Sequence, residues 1–197
     1  MVVDRTELTS NLTKFYDFRG KTVLYVGSGR GQLLGPAARP GKVVAIDKDE
    51  KSLDGFRREA KTVWKGIPIR FVPRRFESVR LKGDVVYFEF CFYQMDDPEE
   101  ALAHARSLAP DVVVMDHLPG SKWIYYWEGE DMVRKSTAVA EKSGVKRRRR
   151  FVADQRFPDY AAFAERLSEG GEALPRVAEL KGEKDIHIPM KCGLFLL

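Results

Sequence analysis

The segment from Lys21 to Asp47 constrains the fold more than any other part of the chain. Thr22 to Val26 is a β-branched and apolar run, with Tyr25 inside it, and three glycines follow at Gly27, Gly29 and Gly31. A second apolar run, Val43 to Ile46, ends in Asp47. Runs of this kind suit strands buried on both faces of a parallel sheet. The glycines let the backbone bend sharply and approach a ligand closely. A helix opening after them would leave free N–H groups that favour a negative group. A carboxylate at the carboxyl edge of the second strand can accept from two hydroxyls of one ribose. The spacing is GxGxG, with Gln32 where a dinucleotide loop carries glycine, and no GxxxxGK[ST] phosphate loop is present. Strand, glycine loop, strand and acid together point to a nucleoside site.

The remaining pattern predicts a single α/β domain over 1–197. Leu8, Leu12 and Phe15 stand at helical spacing in an N-terminal helix or arm over 1–20. Gly35, Pro36 and Pro40 keep any helix between the first two strands short. Helices are expected at Lys51 to Trp64, Pro98 to Leu108, Glu130 to Lys142 and Tyr160 to Leu167. Strands are expected at Ile67 to Val72, Asp84 to Phe90, Val112 to Met115, Val145 to Ala153 and Ile186 to Leu197. Residues 117–127 read as an aromatic loop, and 117–145 and 154–185 as loops and helices on the substrate side. Strands alternating with helices give a doubly wound, mostly parallel sheet with helices on both faces.

Composition narrows the class. Apolar residues make up 44% and the formal net charge is +5. This balance permits an anionic partner without requiring one. Lys146 to Arg150 is the densest basic run, read first as a solvated edge strand and second as a phosphate or RNA contact. No stretch has membrane-span length and the N-terminus carries no apolar signal region, so a cytoplasmic location and no membrane partner are expected. Cys91 and Cys192, far apart in apolar segments, read as buried reduced thiols. Three histidines without paired ligand spacing predict no metal site.

On these residues the chain resembles the class I S-adenosylmethionine-dependent methyltransferases. Val23 to Gly31 is similar to that family's first motif, Val43 to Asp47 to its second, and Asp84 to Pro98 has the cadence of its fourth-strand motif. The resemblance implies a Rossmann-like, seven-stranded sheet with its last strand antiparallel. It also implies S-adenosylmethionine as cofactor, with S-adenosylhomocysteine as product. Gly27, Ser28, Gly29 and Gly31 would line the methionine part, Asp47 would hold the ribose, and Lys48 would lie beside the adenine. Glu89 and Phe90 would face the methionine end, with Glu89 accepting from the cofactor ammonium. After strand three, Phe76 offers a ring for the adenine and Glu77 a carboxylate for its amine, where the family usually has an acid. Gln94 stands where many small-molecule members have histidine. The Asn/Asp-Pro-Pro-aromatic signature of amino-methylating nucleic-acid enzymes is missing. Asp116 and His117, just past strand five, are the candidates for a general base. Trp123, Tyr126 and Tyr160, with Gln94, are candidates to cover the substrate; packing under a helix or at a homodimer contact is the alternative for the aromatic loop. The leading expectation is direct methyl transfer to a small-molecule acceptor. An RNA acceptor, and a binding protein that has lost catalysis, stay open beside it.

Overall fold

The computed structural model describes residues 2–3, 5–29, 33–127, 129–168 and 175–197. Their strands are β1 (Val2–Val3), β2 (Thr22–Val26), β3 (Lys42–Asp47), β4 (Ile69–Pro73), β5 (Val85–Glu89), β6 (Asp111–His117), β7 (Arg147–Asp159) and β8 (Lys184–Leu196). The helices are α1 (Arg5–Phe15), α2 (Glu50–Val63), α3 (Pro98–Leu108), α4 (Lys122–Trp127), α5 (Glu130–Lys142) and α6 (Tyr160–Ser168). The strands form one sheet in the order β1-β7-β8-β6-β5-β2-β3-β4. Strands β2 to β6 pair in parallel, and β8 runs antiparallel to both β6 and β7. The seven-stranded arrangement is as expected; the two-residue β1, added antiparallel at the edge, is not legible in so short a segment.

Alternation along the parallel strands sorts the core. Val23, Tyr25, Val43, Ala45, Val85 and Tyr87 meet Leu8, Leu12 and Phe15 of α1 and Leu53 and Phe56 of α2. On the other face Leu24, Val26, Val44, Ile46, Val86 and Phe88 meet Ala101, Leu102 and Ala105 of α3 and Val139 and Ala140 of α5. Period-2 runs apolar at every position fill two such layers at once. Helix starts are capped as their sequences suggest: Asp49 accepts from Lys51 N–H at 3.0 Å, and Asp97 accepts from Glu99 N–H at 2.9 Å, with Pro98 in the first turn.

Two expectations are corrected. Among the described residues, the β2–β3 connection holds one 3-10 turn, Pro36–Ala38, and no α-helix. Pro36 and Pro40 lack the N–H groups a longer helix needs, and α1 supplies the cover on that face instead. The aromatic segment is not all loop, because Lys122–Trp127 forms α4. Aromatic and β-branched residues are indifferent helix formers, which hid it. Packing decides: Ile124 and Tyr126 are buried, and Trp123 stacks on Trp127 one turn away at 6.5 Å.

β7 and β8 each run for 13 residues, longer than expected. Their far half leaves the main sheet and builds a third core of Phe157, Phe163, Leu167, Ile186 and Ile188 with Tyr126. Pro189 sits where β8 has only β7 as neighbour, which an edge position tolerates. The basic run forms the start of β7. Arg147 lies over the Phe15 ring at 4.6 Å, Arg150 pairs with Glu141, and Arg148 and Arg149 are exposed. No helix among the described residues is long and apolar enough to cross a membrane.

Gly41 marks a tight backbone crossing before β3: a Cβ there would lie 2.4 Å from the Gly20 carbonyl oxygen. Gly41→Ala should therefore destabilise by about 1–3 kcal/mol in chemical denaturation. Gly35→Ala, whose Cβ would meet nothing nearer than 4.0 Å, should cost less. Equal costs at both positions would refute the crossing as the cause.

Candidate functional site

The strand order reverses between β2 and β5, and in open α/β sheets the crevice outside such a reversal receives ligands. The glycine loop leaves β2 there. Gly27 and Gly29 take positive φ of 64° and 48°, a region that favours glycine. A Cβ on Gly27 would lie 2.4 Å from the sulfur of Cys91 on the neighbouring β5 end. Glycine at 27 thus serves both conformation and close approach. Gly31 lies outside the described residues.

Asp47 ties the loop to the end of β3. One carboxylate oxygen accepts from Gly29 N–H at 2.9 Å, the other from Asp49 N–H at 2.9 Å. Each oxygen keeps a second lone pair for an incoming hydroxyl. Lys48 is exposed beside it, and Asp47, Lys48, Phe76, Glu89, Phe90 and Gln94 all line one cleft with Gly27. Phe76 packs edge-on against Phe88 at 5.1 Å and is buried in the core layer below the cleft. Glu77 also reaches the cleft, with Arg75 3.6 Å away and Arg75 paired in turn to Asp96. The Ser28 hydroxyl is buried without a partner in the protein, as expected of a group that a ligand completes.

Glu89 is the most constrained group in the cleft wall. Its Oε2 accepts from the Tyr25 hydroxyl at 2.5 Å and the Tyr87 hydroxyl at 3.1 Å. Leu33 and Leu34 donate backbone N–H groups to the same carboxylate. Burial pushes Glu89 up from 4.5 to about 7, against the lowering effect of these donors. The sequence singles out Glu89 but not its partners. The signal was a tyrosine in each of two buried strands, since a buried phenol needs an acceptor.

Past β5, Phe90 holds a positive φ of 48°, uncommon for a bulky residue. Its ring lies 4.7 Å from that of His117. Asp116 and His117 are both buried. The Asp116 carboxylate accepts from Tyr93 N–H at 2.9 Å and His117 N–H at 2.8 Å, and Phe92 N–H donates to it as well. It clamps the turn after β5 to the end of β6. Burial raises Asp116 to about 7 and lowers His117 to about 3, so the imidazole is held neutral. His117 Nδ1 is buried without a partner. Gln94 donates to the Tyr93 hydroxyl at 2.8 Å.

The expected aromatic cover is corrected. Tyr126 faces Phe163 at 5.2 Å, and Tyr160 packs on the same third core, away from the glycine-loop cleft. Trp123 stacks on Trp127 and Phe157 and touches the cluster of Tyr93, Ile124 and Val133. The extended β7–β8 ribbon offers these rings an apolar surface, and burial there wins over exposure at the cleft. Cys91 and Cys192 are free and buried. No group of three or more His, Cys, Asp or Glu among the described residues could hold a metal ion.

Residues 24–115 match the family model described as a methyltransferase domain. No curated protein matches the chain. Among solved structures, the chain is similar to a SAM dependent methyltransferase from Aquifex aeolicus, at 17% identity and TM-score 0.60, over 98% of this chain and 89% of that one. It is similar to the YcgJ protein from Bacillus subtilis, at 13% identity and TM-score 0.65, over 97% of each chain. It is also similar to magnesium protoporphyrin IX methyltransferase from Synechocystis PCC 6803 with bound SAM, at 16% identity and TM-score 0.59, over 97% of this chain and 77% of that one. Likeness at these identities is likeness of fold.

The two tyrosines make Glu89 testable through pH. Its proton is held more tightly folded than unfolded, so its contribution to stability is fully present below about pH 4.5 and is lost as pH rises through about 7. Glu89→Gln removes that titration and leaves Asp116 and His117 unchanged. The thermal midpoint of the wild type should therefore fall relative to Glu89→Gln between pH 5 and pH 8. A difference independent of pH would refute the buried, proton-holding carboxylate.

Proposed function

We propose that this chain is a class I S-adenosylmethionine-dependent methyltransferase that methylates a small-molecule acceptor by direct displacement. The observation that carries the reading is the cleft at the strand reversal, lined by Gly27 and Asp47, with the Asp47 carboxylate tied to the glycine loop through Gly29 N–H.

The residues present fit such a cofactor. Gly27 keeps its backbone bare at the cleft wall, and Asp47 retains lone pairs for ribose hydroxyls. Lys48 and Phe76 flank the adenine end, and Glu89 and Phe90 the methionine end. Bound S-adenosylmethionine supplies an already activated methyl on a sulfonium. The protein's task is then to align the acceptor and exclude water. Glu89 serves this by anchoring the backbone at Leu33 and Leu34 beside the cleft. Asp116 fixes the turn that carries Tyr93 and Gln94. His117 supports Phe90 as a neutral ring. An imidazole held down to about 3 is a weak proton acceptor, so alignment carries the transfer in this reading and proton abstraction does not.

Calorimetric titration with S-adenosylmethionine and S-adenosylhomocysteine tests the cofactor. Asp47→Ala should weaken binding by about tenfold or more, the scale of one lost charge-assisted contact. Intact, folded protein that binds neither compound overturns the reading. With an acceptor identified by screening, His117→Gln should retain turnover within about tenfold, because general-base catalysis contributes about 10²–10⁴-fold. A loss of that larger size would make His117 the base.

A further inference from the structure

A second cleft, of about 550 Å³, opens on the same edge of the sheet, bounded by α4, the start of α5 and Arg176. It shares no lining residue with the glycine-loop cleft. Tyr93 touches residues of both. The Tyr93 hydroxyl accepts from Gln94 of the first cleft. A Cβ on Gly129, which lines the second, would lie 3.5 Å from the other side of the Tyr93 ring.

The chemistry of this cleft is that of an anion receptor built around one aromatic ring. Tyr125 is flanked by two cations, Lys122 Nζ at 4.2 Å and the Arg176 guanidinium at 4.7 Å from the ring centroid. Neither cation has a carboxylate within ion-pair distance among the described residues. Two acids, Glu130 and Asp131, also line the cleft, and neither is within ion-pair distance of Lys122 or Arg176 among the described residues. Glu130 pairs with Arg134 at 2.8 Å and accepts from Gly120 N–H, Glu179 accepts from the Tyr125 hydroxyl at 3.3 Å, and Asp131 is exposed. Stacking on a ring leaves the guanidinium N–H groups free to fork onto a carboxylate or phosphate. Ser121 forms part of the cleft floor, 1% exposed, with its hydroxyl buried beneath the surface. Met132, 48% exposed at the same wall, and Tyr125, 37% exposed, give apolar surface for the body of a molecule.

We propose that this cleft is the acceptor site, and that the acceptor is a small molecule bearing a carboxylate or phosphate on an apolar or flat body. Lys122 and Arg176 hold the anion, and the body lies against Tyr125 and Met132. The methylated end reaches past Tyr93 toward Gln94. The assignment rests on the methyl-transfer reading above and adds the substrate class to it.

The test is calorimetric titration of the full chain with benzoate, benzamide and inorganic phosphate, repeated on Lys122→Gln, Arg176→Gln and Arg176→Lys. Benzoate or phosphate binding, weakened tenfold or more in both glutamine variants and largely recovered in Arg176→Lys, supports the site. Benzoate as the tighter probe identifies a carboxylate ligand, and phosphate as the tighter probe a phosphorylated one. Three results overturn it: neither anion binds the folded protein, benzamide binds as tightly as benzoate, or the variants bind unchanged. A single-stranded RNA that displaces benzoate would also overturn it, in favour of a nucleic-acid acceptor. None of the probes is the methyl donor. Anion binding without donor binding would therefore keep the anion site and overturn methyl transfer, and the converse would do the reverse.

Discussion

The ends of β2 and β5 lie so close at the strand reversal that only a residue without a side chain fits between them. Gly27 fills that place, with the Cys91 sulfur where its Cβ would be and Cys91 in turn directed at the Val26 carbonyl at 3.4 Å. Everything that makes the crevice follows from this approach. It brings the glycine loop within reach of Asp47, which bonds Gly29 N–H. It also brings Tyr25 of β2 within reach of Glu89 of β5, a bond made across neighbouring strands. A larger residue at 27 would collide with Cys91 and force one of the two segments to move.

Two carboxylates and an imidazole are buried around this crevice, which is expensive unless each is satisfied or neutral. The chain solves the problem differently for each. Glu89 takes two phenols and two backbone N–H groups, Asp116 takes three backbone N–H groups, and His117 simply stays uncharged. Burial holds both carboxylates near neutrality in spite of their donors. The two carboxylates beside the crevice are therefore committed to partners within the protein. The unsatisfied hydroxyl of Ser28 and the spare lone pairs of Asp47 stand out against that background.

Sequence reading captured what depends on local pattern. The parallel strands, helices α3 and α5 and the loop-strand-acid unit at Gly27 to Asp47 follow from periodicity and turn chemistry, and these place the crevice. What it missed depends on contacts between distant residues. Tyr25 and Tyr87 are ordinary strand residues until Glu89 is placed against both. Helix α4 exists because the long β7–β8 ribbon offers Tyr126 a surface to bury against, and the same surface draws Tyr160 away from the crevice. Where a helix after the glycine loop was expected, α1 covers the sheet from the far end of the chain segment. Tertiary packing overrides propensity most where the sequence is aromatic, because such residues gain most from burial.

That same aromatic segment shapes the two clefts. Alternate residues of α4 divide their work. Ile124 and Tyr126 turn inward, Ile124 with Tyr93 and Val133 and Tyr126 with Phe163, while Lys122 and Tyr125 turn out toward Arg176. Ile124 thus packs on Tyr93 beside the crevice, and the outward pair furnishes the second cleft. A single short helix couples the packing of the C-terminal core to the position of Tyr93, which Asp116 fixes from the other side. Tyr93 is held by hydrogen bonding at its backbone, by apolar contact at its ring and by Gln94 at its hydroxyl. Contacts at three points hold Tyr93 in one orientation beside the crevice. In the proposed reading, that orientation is what lines up an acceptor with an activated methyl.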